Sequence, residues 1–336
     1  MTKEKILPQF TKKFKKALVT GGAGFIGSHI CEALVSGGVQ VVSIDDYSSG
    51  KRLNLAHLKK YPNFQEVDCD ITDVKKLSRY FKDVDIVFHN AASKKTVCLK
   101  DPRRDLEVNG AGTFNLLELA RDNKVKKFVH ASTGSVYGEA LYFPQDENHP
   151  NIPVSYYGVS KLSGEKYVQV FHHLYGLDTT VLRYFHVYGP RQEFNEYGGV
   201  VAIFVRNLLE GKPPTIFGTG RQQRSFTHVD DVVLANLVVA TNPKSKGQIY
   251  NCASGANVTI NELAQAVLKY FHRPDLKPVY KDWLVGDIKK FKIDNSKLRA
   301  LGVTFQTDFH KALWETIEEL KTYITNAKKS PNPPEK

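Results

Sequence analysis

Residues 17–27 read Ala-Leu-Val-Thr-Gly-Gly-Ala-Gly-Phe-Ile-Gly, an apolar run followed by a turn that contains Gly21, Gly24 and Gly27. The run predicts a buried strand, and the residues after the turn begin the apolar pattern of a helix. Glycines at this spacing let the backbone approach a pyrophosphate at the helix N-terminus. The stretch therefore predicts a dinucleotide-binding unit, although a tight turn without a ligand shows the same spacing.

Asp45 follows the next apolar run, residues 39–44. In a dinucleotide-binding unit, a carboxylate at this place accepts hydrogen bonds from the adenosine ribose hydroxyls and repels a 2′-phosphate. We therefore expect NAD rather than NADP. Phe25 and Ile26, which lie between the glycines, are expected to belong to the same cofactor site.

Short apolar runs alternate with helical segments along the first half of the chain. Such alternation is typical of a parallel sheet that helices cover on both faces, so we predict an α/β, doubly wound (Rossmann) fold. The runs are residues 17–19, 39–44, 64–67, 85–89, 127–131 and 179–182.

The pattern changes to loops rich in Gly and Pro after the last of these runs. We take this change as the start of a smaller α/β substrate-binding domain. The predicted division of the 336 residues is an N-terminal extension (1–15), an NAD-binding domain (16–185, with a return segment near 225–255), the substrate domain (186–327) and a disordered tail (328–336).

Small or polar residues follow the third and fourth predicted strands: Asp70 and Ile71, then Asn90, Ala91 and Ala92. Ligands bind at the carboxyl ends of strands in open α/β sheets. These residues are expected to line the adenine and ribose path, although ordinary strand-to-helix turns have a similar composition.

Tyr157 and Lys161 are four residues apart in a predicted helix, which places a phenol and an ammonium on one face. Tyr47 and Lys51 have the same spacing, so spacing does not choose between the pairs. Tyr47 lies beside the adenosine end, whereas Tyr157 follows the fifth strand on the expected nicotinamide side. We therefore favour Tyr157 as the catalytic base.

A phenol has a pKa of about 10 and needs a nearby positive charge to act as a base at neutral pH. Lys161 and a nicotinamide ring would both supply one. Thr133 lies in a cluster of hydroxyl residues after the fifth strand and is expected to share the substrate proton with Tyr157. A hydroxyl that only caps the turn is the alternative.

Composition excludes several classes of protein. The apolar runs are too short to cross a membrane, the N-terminus lacks a secretion signal, and four scattered cysteines indicate free thiols in a cytoplasm rather than a metal site. The formal net charge of +12 raises the possibility of nucleic-acid binding. We expect none, because many lysines lie at the chain ends and a basic surface also suits a diphosphate substrate.

Taken together, these motifs resemble the extended branch of the short-chain dehydrogenase/reductases, and within it the UDP-glucose 4-epimerase-like enzymes of nucleotide sugars. The resemblance runs from about Lys16 to Leu320. It implies a tightly held NAD, a catalytic triad of Thr133, Tyr157 and Lys161, and Phe185 near the nicotinamide. Further matches are Asn109 in Glu-Val-Asn, which we assign to the cofactor site, Arg-Tyr-Phe at 183–185, Tyr-Gly-Pro-Arg at 188–191 and Gly-Asp at 286–287.

The two residues after Thr133 separate the reactions of this family. Its dehydratases usually carry Asp-Glu there, and its decarboxylases a Glu at the second position, whereas this chain has Gly134 and Ser135. The resemblance therefore implies a 4-epimerase acting on a UDP-hexose or UDP-hexuronic acid. A dehydratase or decarboxylase of the same family is the alternative, and a non-catalytic NAD-binding regulator or nucleic-acid-binding protein is the alternative outside enzymes.

The resemblance also implies a substrate site. Arg224 and His186 are expected to hold the diphosphate. The other expected substrate contacts are Val200, Thr215 and Phe217 at the nucleobase, Lys94, Thr133 and Tyr157 at the sugar, and Ser135 and Asp287 beside them. His186 replaces a common Asn, and Leu284 replaces a common Arg. A homodimer that pairs the helix of Tyr157 with residues 101–121 is expected as well.

Phe291 is the residue four after the Asp of Gly-Asp. In the epimerases that this chain resembles, that position lines the wall beside carbon 2 of the sugar. A large ring there leaves little room for an N-acetyl group, so we expect plain hexose or hexuronic acid nucleotides to be preferred. The alternative is that Phe291 only packs in the core of the second domain.

Overall fold

The apolar runs of the sequence form the strands of one parallel sheet. A computed structural model of the chain describes residues 2–93, 98–195, 198–283 and 288–329. Its strands are β1 (Lys16–Thr20), β2 (Gln40–Asp45), β3 (Phe64–Asp68), β4 (Ile86–His89), β5 (Lys127–Thr133), β6 (Thr179–Tyr184), β7 (Val187–Tyr188), β8 (Thr215–Phe217), β9 (Gln223–Ser225), β10 (Thr227–His228), β11 (Gln248–Cys252), β12 (Asn257–Thr259) and β13 (Val279–Lys281). Seven of them form the central sheet in the order β3-β2-β1-β4-β5-β6-β11. The predicted doubly wound α/β fold is confirmed.

Helices connect and cover these strands. They are α1 (Lys3–Lys13), α2 (Phe25–Ser36), α3 (Val74–Leu77), α4 (Pro102–Leu106), α5 (Thr113–Asp122), α6 (Tyr156–Tyr175), α7 (Val200–Leu209), α8 (Val229–Thr241), α9 (Ile260–Tyr270), α10 (Ser296–Arg299) and α11 (Phe309–Lys329). A π-helix, Glu107–Gly112, joins α4 to α5.

The order of the strands reverses between β1 and β4, which pair in parallel with Thr20 opposite His89. Where the connections after two neighbouring strands run in opposite directions, a crevice forms at the carboxyl ends of these strands. The glycine turn after β1 and Asn90 after β4 therefore meet at this crevice.

Two apolar cores cover the faces of the sheet. Val19 and Phe88 pack on one face with helices α1, α2 and α8. Leu18 and Phe128 pack on the other face with helices α5 and α6. Alternate residues of each strand point to opposite faces, so a strand that is buried on both reads as a continuous apolar run. This burial explains why the strands were visible in the sequence.

A third apolar cluster lies away from the central sheet. It is formed mainly by helices α7, α9 and α11 through Phe204, Leu263 and Leu313. Strand β11 and helix α8, from the predicted return segment, instead join the central sheet and one of its covering layers. The domain boundary near residue 185 stays a prediction.

The N-terminal residues differ from the solvated end that their lysines suggested. They form helix α1, whose Ile6 and Phe10 are buried against the sheet. The Phe10 ring stacks on Phe88 with centroids 6.1 Å apart, and the Nζ of Lys3 lies 2.8 Å from Asp230 Oδ1 in α8. The apolar residues of this short segment were sufficient to dock it as a helix.

At the other end, α11 continues to Lys329, beyond the start of the predicted tail, and residues 330–336 lie outside the described part. Within the described ranges, none of the helices has the length and apolar character needed to span a bilayer. All four cysteines lie within the described residues, where they are buried and form no disulfide.

Candidate active site

A cavity of about 440 Å³ opens at the carboxyl ends of β1 to β5. Most of the residues assigned to the cofactor from the sequence line it, namely Gly21, Gly24, Phe25, Ile26, Gly27, Asp45, Asp70, Ile71, Asn90, Ala91, Ala92, Tyr157 and Lys161. The structure thus brings the glycine turn and the Tyr157/Lys161 pair to one cavity, although 130 residues separate Gly27 from Tyr157 in the chain.

The glycines let the turn after β1 pack closely against the backbone of Ala91 and against the first turn of α2. Gly21 has a φ of +64°, and a Cβ there would lie 2.7 Å from the Ala91 nitrogen. A Cβ on Gly27 would lie 2.1 Å from the Gly21 carbonyl oxygen. Gly24 is the N-cap of α2, so no side chain of the N-cap residue covers the first helical N–H groups. The positive end of the helix is thereby open to the cavity.

Asp45 ends β2 at the cavity and is 7% exposed. Its carboxylate accepts hydrogen bonds from the backbone N–H groups of Ala23 and Tyr47, each at 2.9 Å. Burial raises the pKa of Asp45 to about 6, and these N–H groups partly oppose the shift. The side chain is fixed in place and is mostly ionised at neutral pH.

Tyr157 lies in the first turn of α6, where the Ser155 side chain caps the helix by accepting a 3.1 Å hydrogen bond from the Gly158 N–H. Burial raises the pKa of the Tyr157 phenol to about 12, and a hydrogen bond with Thr133 opposes the shift. Burial lowers the pKa of Lys161 to about 8, and Glu165 and Asp105 oppose that shift. At neutral pH the site thus holds a neutral phenol close to an ammonium.

The competing pair, Tyr47 and Lys51, makes other contacts. The Tyr47 hydroxyl donates a 2.5 Å hydrogen bond to Glu66, and the Arg52 guanidinium lies 3.8 Å from the ring centroid. Burial and the hydrogen bond to Glu66 raise the pKa of Tyr47. Lys51 lies over the Phe194 ring at 4.4 Å. Neither residue belongs to the cavity lining, which supports the choice of Tyr157.

Thr133 is the last residue of β5 and contacts the phenol of Tyr157. Its Oγ1 accepts a 3.1 Å hydrogen bond from the Ser135 backbone N–H and lies 3.3 Å from the Ser135 hydroxyl. The preceding residue, Ser132, lines the cavity, whereas Thr133 does not. Ser132 belongs to the hydroxyl cluster after the fifth predicted strand, but its sequence position alone does not indicate that it lines the cavity.

Asn109 and Phe185, the two remaining residues assigned to the cofactor, lie behind the cavity wall. Asn109 is fully buried in the π-helix, where its Oδ1 accepts a 3.0 Å hydrogen bond from the N–H of Ser93, a lining residue. The Phe185 ring packs so closely on Gly134 that a Cβ there would lie 2.3 Å from it. Asn109 therefore reaches the cavity through Ser93, whereas Phe185 follows Tyr184, which lines the cavity.

Three residues assigned to the substrate lie together next to Phe185. The Phe291 ring is 5.8 Å from that of Phe185 and 5.2 Å from that of His186. The Arg224 guanidinium lies 5.7 Å from the Phe291 centroid, and its Nη1 donates to the Gln223 carbonyl at 3.0 Å. Phe291 is 5% exposed. It therefore packs with Phe185 and also borders the predicted diphosphate residues.

The residues assigned to the nucleobase lie elsewhere. Thr215 and Phe217 are the first and last residues of β8, which pairs with β13, and Phe217 is 37% exposed. Val200 begins α7. The described cavity does not include these three residues. Lys94 and Asp287, together with Leu284, fall outside the described residues.

Several lining residues had no signal in the sequence. Arg104 of α4 donates to Asp70 Oδ2 at 2.5 Å and to Asp46 Oδ2 at 3.3 Å, and so crosses the adenosine end of the cavity. Gln192, Glu193, Gly198 and Gly199 line the cavity from the segment after β7. Each of these residues reaches the site only through the tertiary fold, so local spacing could not identify it.

Comparison with known proteins agrees with this architecture. Residues 17–253 match the model of the NAD dependent epimerase/dehydratase family. The UDP-glucose 4-epimerase of Mycolicibacterium smegmatis is 38% identical over 310 residues, covering 90% of this chain and 97% of that protein.

Two solved structures are similar over almost their full lengths. The UDP-glucose 4-epimerase of Thermotoga maritima with UDP-glucose is 37% identical, with a TM-score of 0.86 and coverage of 92% of this chain and 99% of that one. The UDP-glucuronic acid 4-epimerase of Bacillus cereus, in complex with UDP-glucuronic acid and NAD, is 33% identical, with a TM-score of 0.84 and coverage of 91% and 99%. The resemblance seen in the sequence is confirmed, and the chain belongs to the NAD dependent epimerase/dehydratase family.

Proposed function

We propose that this protein is an NAD-dependent UDP-sugar 4-epimerase. The observation that carries the proposal is the presence of the Tyr157 phenol and the Lys161 ammonium in the same cavity as the glycine turn. The 4-epimerase activities of similar proteins support it. A dehydratase has less support, because Phe185 fills the space beside Gly134 where a dehydratase carries an acid. A decarboxylase has less support, because Ser135 stands where a decarboxylase carries Glu.

The cavity fits NAD on three observations. Gly21, Gly24 and Gly27 line the cavity at the uncovered N-terminal end of α2, where a helix favours a pyrophosphate. Asp45 is held where a ribose hydroxyl could donate to it. The buried Oδ1 of Asn90 has no hydrogen-bond partner among the described residues, and Asn90 lines the cavity. Bound NAD supplies a hydride acceptor and donor and a positively charged ring.

In this scheme Tyr157 takes the proton from the sugar hydroxyl at carbon 4. Burial opposes formation of the phenolate, since it raises the pKa of Tyr157, so a neighbouring positive charge is required. Lys161 provides that charge from one turn further along α6, and Thr133 hydrogen-bonds the phenol. A 4-keto sugar then forms, and its reduction on the opposite face completes the epimerisation.

We assign the substrate site to residues outside the lining of this cavity, the first of which pack next to Phe185. Arg224 and His186 would hold the diphosphate, with Phe291 between them and Phe185. Val200, Thr215 and Phe217 would contact the nucleobase, and Lys94, Ser135 and Asp287 complete the proposed set. The substrate domain would comprise residues 186–327 apart from the return segment. Because relatives named for UDP-glucose and UDP-glucuronic acid are 37% and 33% identical, either a hexose or a hexuronic acid fits the proposal.

The proposed enzyme is a cytoplasmic homodimer that supplies sugars for polysaccharide synthesis. Helix α6 exposes an apolar row that runs through Val159, Val170 and Leu174, which are 54%, 45% and 62% exposed. Leu106 of the neighbouring α4 is 57% exposed. Pairing of α6 and the 101–121 segment with a second copy would bury this surface.

A panel of nucleotide sugars tests the function directly. The purified protein is incubated separately with UDP-glucose, UDP-glucuronic acid and their N-acetylated counterparts, and the products are resolved by NMR. We expect conversion of at least one substrate to its 4-epimer without net change in NAD. Loss of water or carbon dioxide from the sugar would instead show a dehydratase or a decarboxylase.

A further inference from the structure

A buried ion pair lies directly behind the wall of the active-site cavity. Glu165 of α6 and Arg183 of β6 are 0% and 1% exposed. The Nη2 of Arg183 donates to Glu165 Oε1, and its Nε donates to Oε2 at 3.1 Å. The Ser132 hydroxyl, at the cavity wall, donates to the same Oε2 at 2.9 Å. One carboxylate thus connects a buried guanidinium with the wall of the cavity.

This carboxylate is placed to act on the catalytic residues. Tyr157, Lys161 and Glu165 recur every four residues of α6 and share one face of the helix. Ser132 lies directly opposite Arg183 in the pairing of β5 with β6, and Thr133 is the next residue. Glu165 therefore joins the strand end that carries Thr133 to the helix that carries the proposed base.

The described titratable groups that face Lys161 lie on four elements, α6, α4, β4 and β5. Glu165 of α6 and Asp105 of α4 are carboxylates that raise the pKa of Lys161 against the effect of burial. His89 of β4 and His130 of β5 are neutral, because burial and the nearby Lys161 hold their pKa values well below the usual range. The remaining group is the neutral phenol of Tyr157. Among the described residues, the groups that favour the ammonium are thus these two carboxylates.

We propose that Glu165 is a positioning residue that fixes Ser132 and Thr133 against Tyr157 and places a negative charge one helical turn from Lys161. The inference rests on the proposed function in one respect, namely that Tyr157 needs an ammonium neighbour to act as a base. A purely structural ion pair would also need Glu165 and Arg183. A purely structural pair would not, however, lower the pKa of Lys161 when Glu165 is replaced and leave it unlowered when Arg183 is replaced.

The test follows the titration of Lys161 by NMR in the full-length purified protein labelled with ¹³Cε-lysine. The signal is assigned by its loss in Lys161→Met. Glu165→Gln keeps the size of the side chain and removes its charge. We expect it to lower the midpoint of the Lys161 titration by about one pH unit or more, because an opposite charge at this range shifts a pKa by roughly 1–3.

Arg183→Gln is the matched control, since it breaks the same ion pair but leaves the carboxylate. The Lys161 midpoint should not fall in this variant. Glu165→Gln leaves a buried guanidinium unpaired, which is strongly destabilising. The double variant Glu165→Gln/Arg183→Gln removes both charges, and we expect its Lys161 midpoint to lie below that of Arg183→Gln.

An unchanged midpoint in Glu165→Gln, or an equal fall in Arg183→Gln, would overturn the proposal. Failure of both the single Glu165 variant and the double variant to fold would also overturn it, as evidence of a structural role only. If this protein turns over UDP-sugars, the pH above which its activity falls should be lower in Glu165→Gln, by the same amount as the NMR midpoint of Lys161. The NMR midpoint does not require turnover, so a protein that epimerises none of the tested sugars could still show the shift.

Discussion

The phenol of Tyr157 is the group through which the proposed base catalysis acts. Replacing it by Phe removes the hydroxyl and leaves the packing of the ring, so the fold and bound NAD should persist. Turnover of the active UDP-sugar should fall at least about a hundredfold, the usual contribution of a general base. Steady-state kcat and the NAD released on denaturation measure the two effects.

Tyr47→Phe is the control for this substitution. The Tyr47 hydroxyl is bound to Glu66 and lies outside the cavity lining, so its loss should have little effect on kcat. If Tyr157→Phe keeps more than about a tenth of the wild-type activity, Tyr157 is not the base.

Asp45 should exclude NADP by a charge effect that depends on pH. Since burial raises the pKa of Asp45 to about 6, the carboxyl is ionised above that pH and repels a 2′-phosphate. Below it the carboxyl is protonated and the repulsion is lost. Dissociation constants of NAD and NADP at pH 5 and pH 8 should therefore show the stronger preference for NAD at pH 8. Protein that carries mostly NADP when purified from cells would contradict this assignment.

Phe291 should limit the size of the sugar. Its ring is held against Phe185 and His186, so an acetamido group would have to displace a packed side chain. Overpacking costs ~1–3 kcal/mol, or about a tenfold to hundredfold preference in kcat/KM for the plain sugar. Phe291→Ser should narrow that preference. Equal turnover of an N-acetylated substrate by the wild type would show that the ring does not act as a gate.

At the level of elements, we expect helix α1 to stabilise the fold without taking part in catalysis. Phe10→Ala should lower the free energy of unfolding by about 3–5 kcal/mol, because it leaves a cavity against Phe88. Urea denaturation measures this loss, and kcat should not change where the variant is folded. Gln9→Ala, at an exposed position of the same helix, is the control. A loss below about 1 kcal/mol would mean that α1 is not docked as described.

The elements also show what the sequence could and could not predict. Most of the apolar runs were visible because their strands are buried on both faces, although the edge strand β3 exposes Gln65 and Asp68, and the glycine turn was visible because its spacing reflects local backbone geometry. Helix α1 docks through contacts with α8, which is distant in sequence. Asn109 lies in a π-helix, whose wider turn changes the direction of its side chain from that in an α-helix. Arg104 reaches Asp70 from 34 residues away. Periodicity carries no information about such long-range contacts.

For the whole molecule, the apolar row on α6 predicts a dimer. Leu174→Glu with Val170→Glu would place charges in the proposed interface and should convert a dimer into a monomer of 37.8 kDa. Leu209→Glu, on the exposed part of α7, should leave the assembly unchanged. Sedimentation velocity measures both. A wild-type protein that is already monomeric at micromolar concentration would exclude this interface.

The docking of α1 on α8 has a consequence for synthesis on the ribosome. Lys3 and Asp230, which join the two helices, are 227 positions apart. At about 5–20 residues per second, α1 emerges roughly 10–50 seconds before its partner helix exists. During that interval the part of α1 that packs against α8 is uncovered, and exposed apolar surface of this kind is what chaperones bind on a nascent chain. A segment made long before α8 thus completes its native contacts only after α8 has emerged.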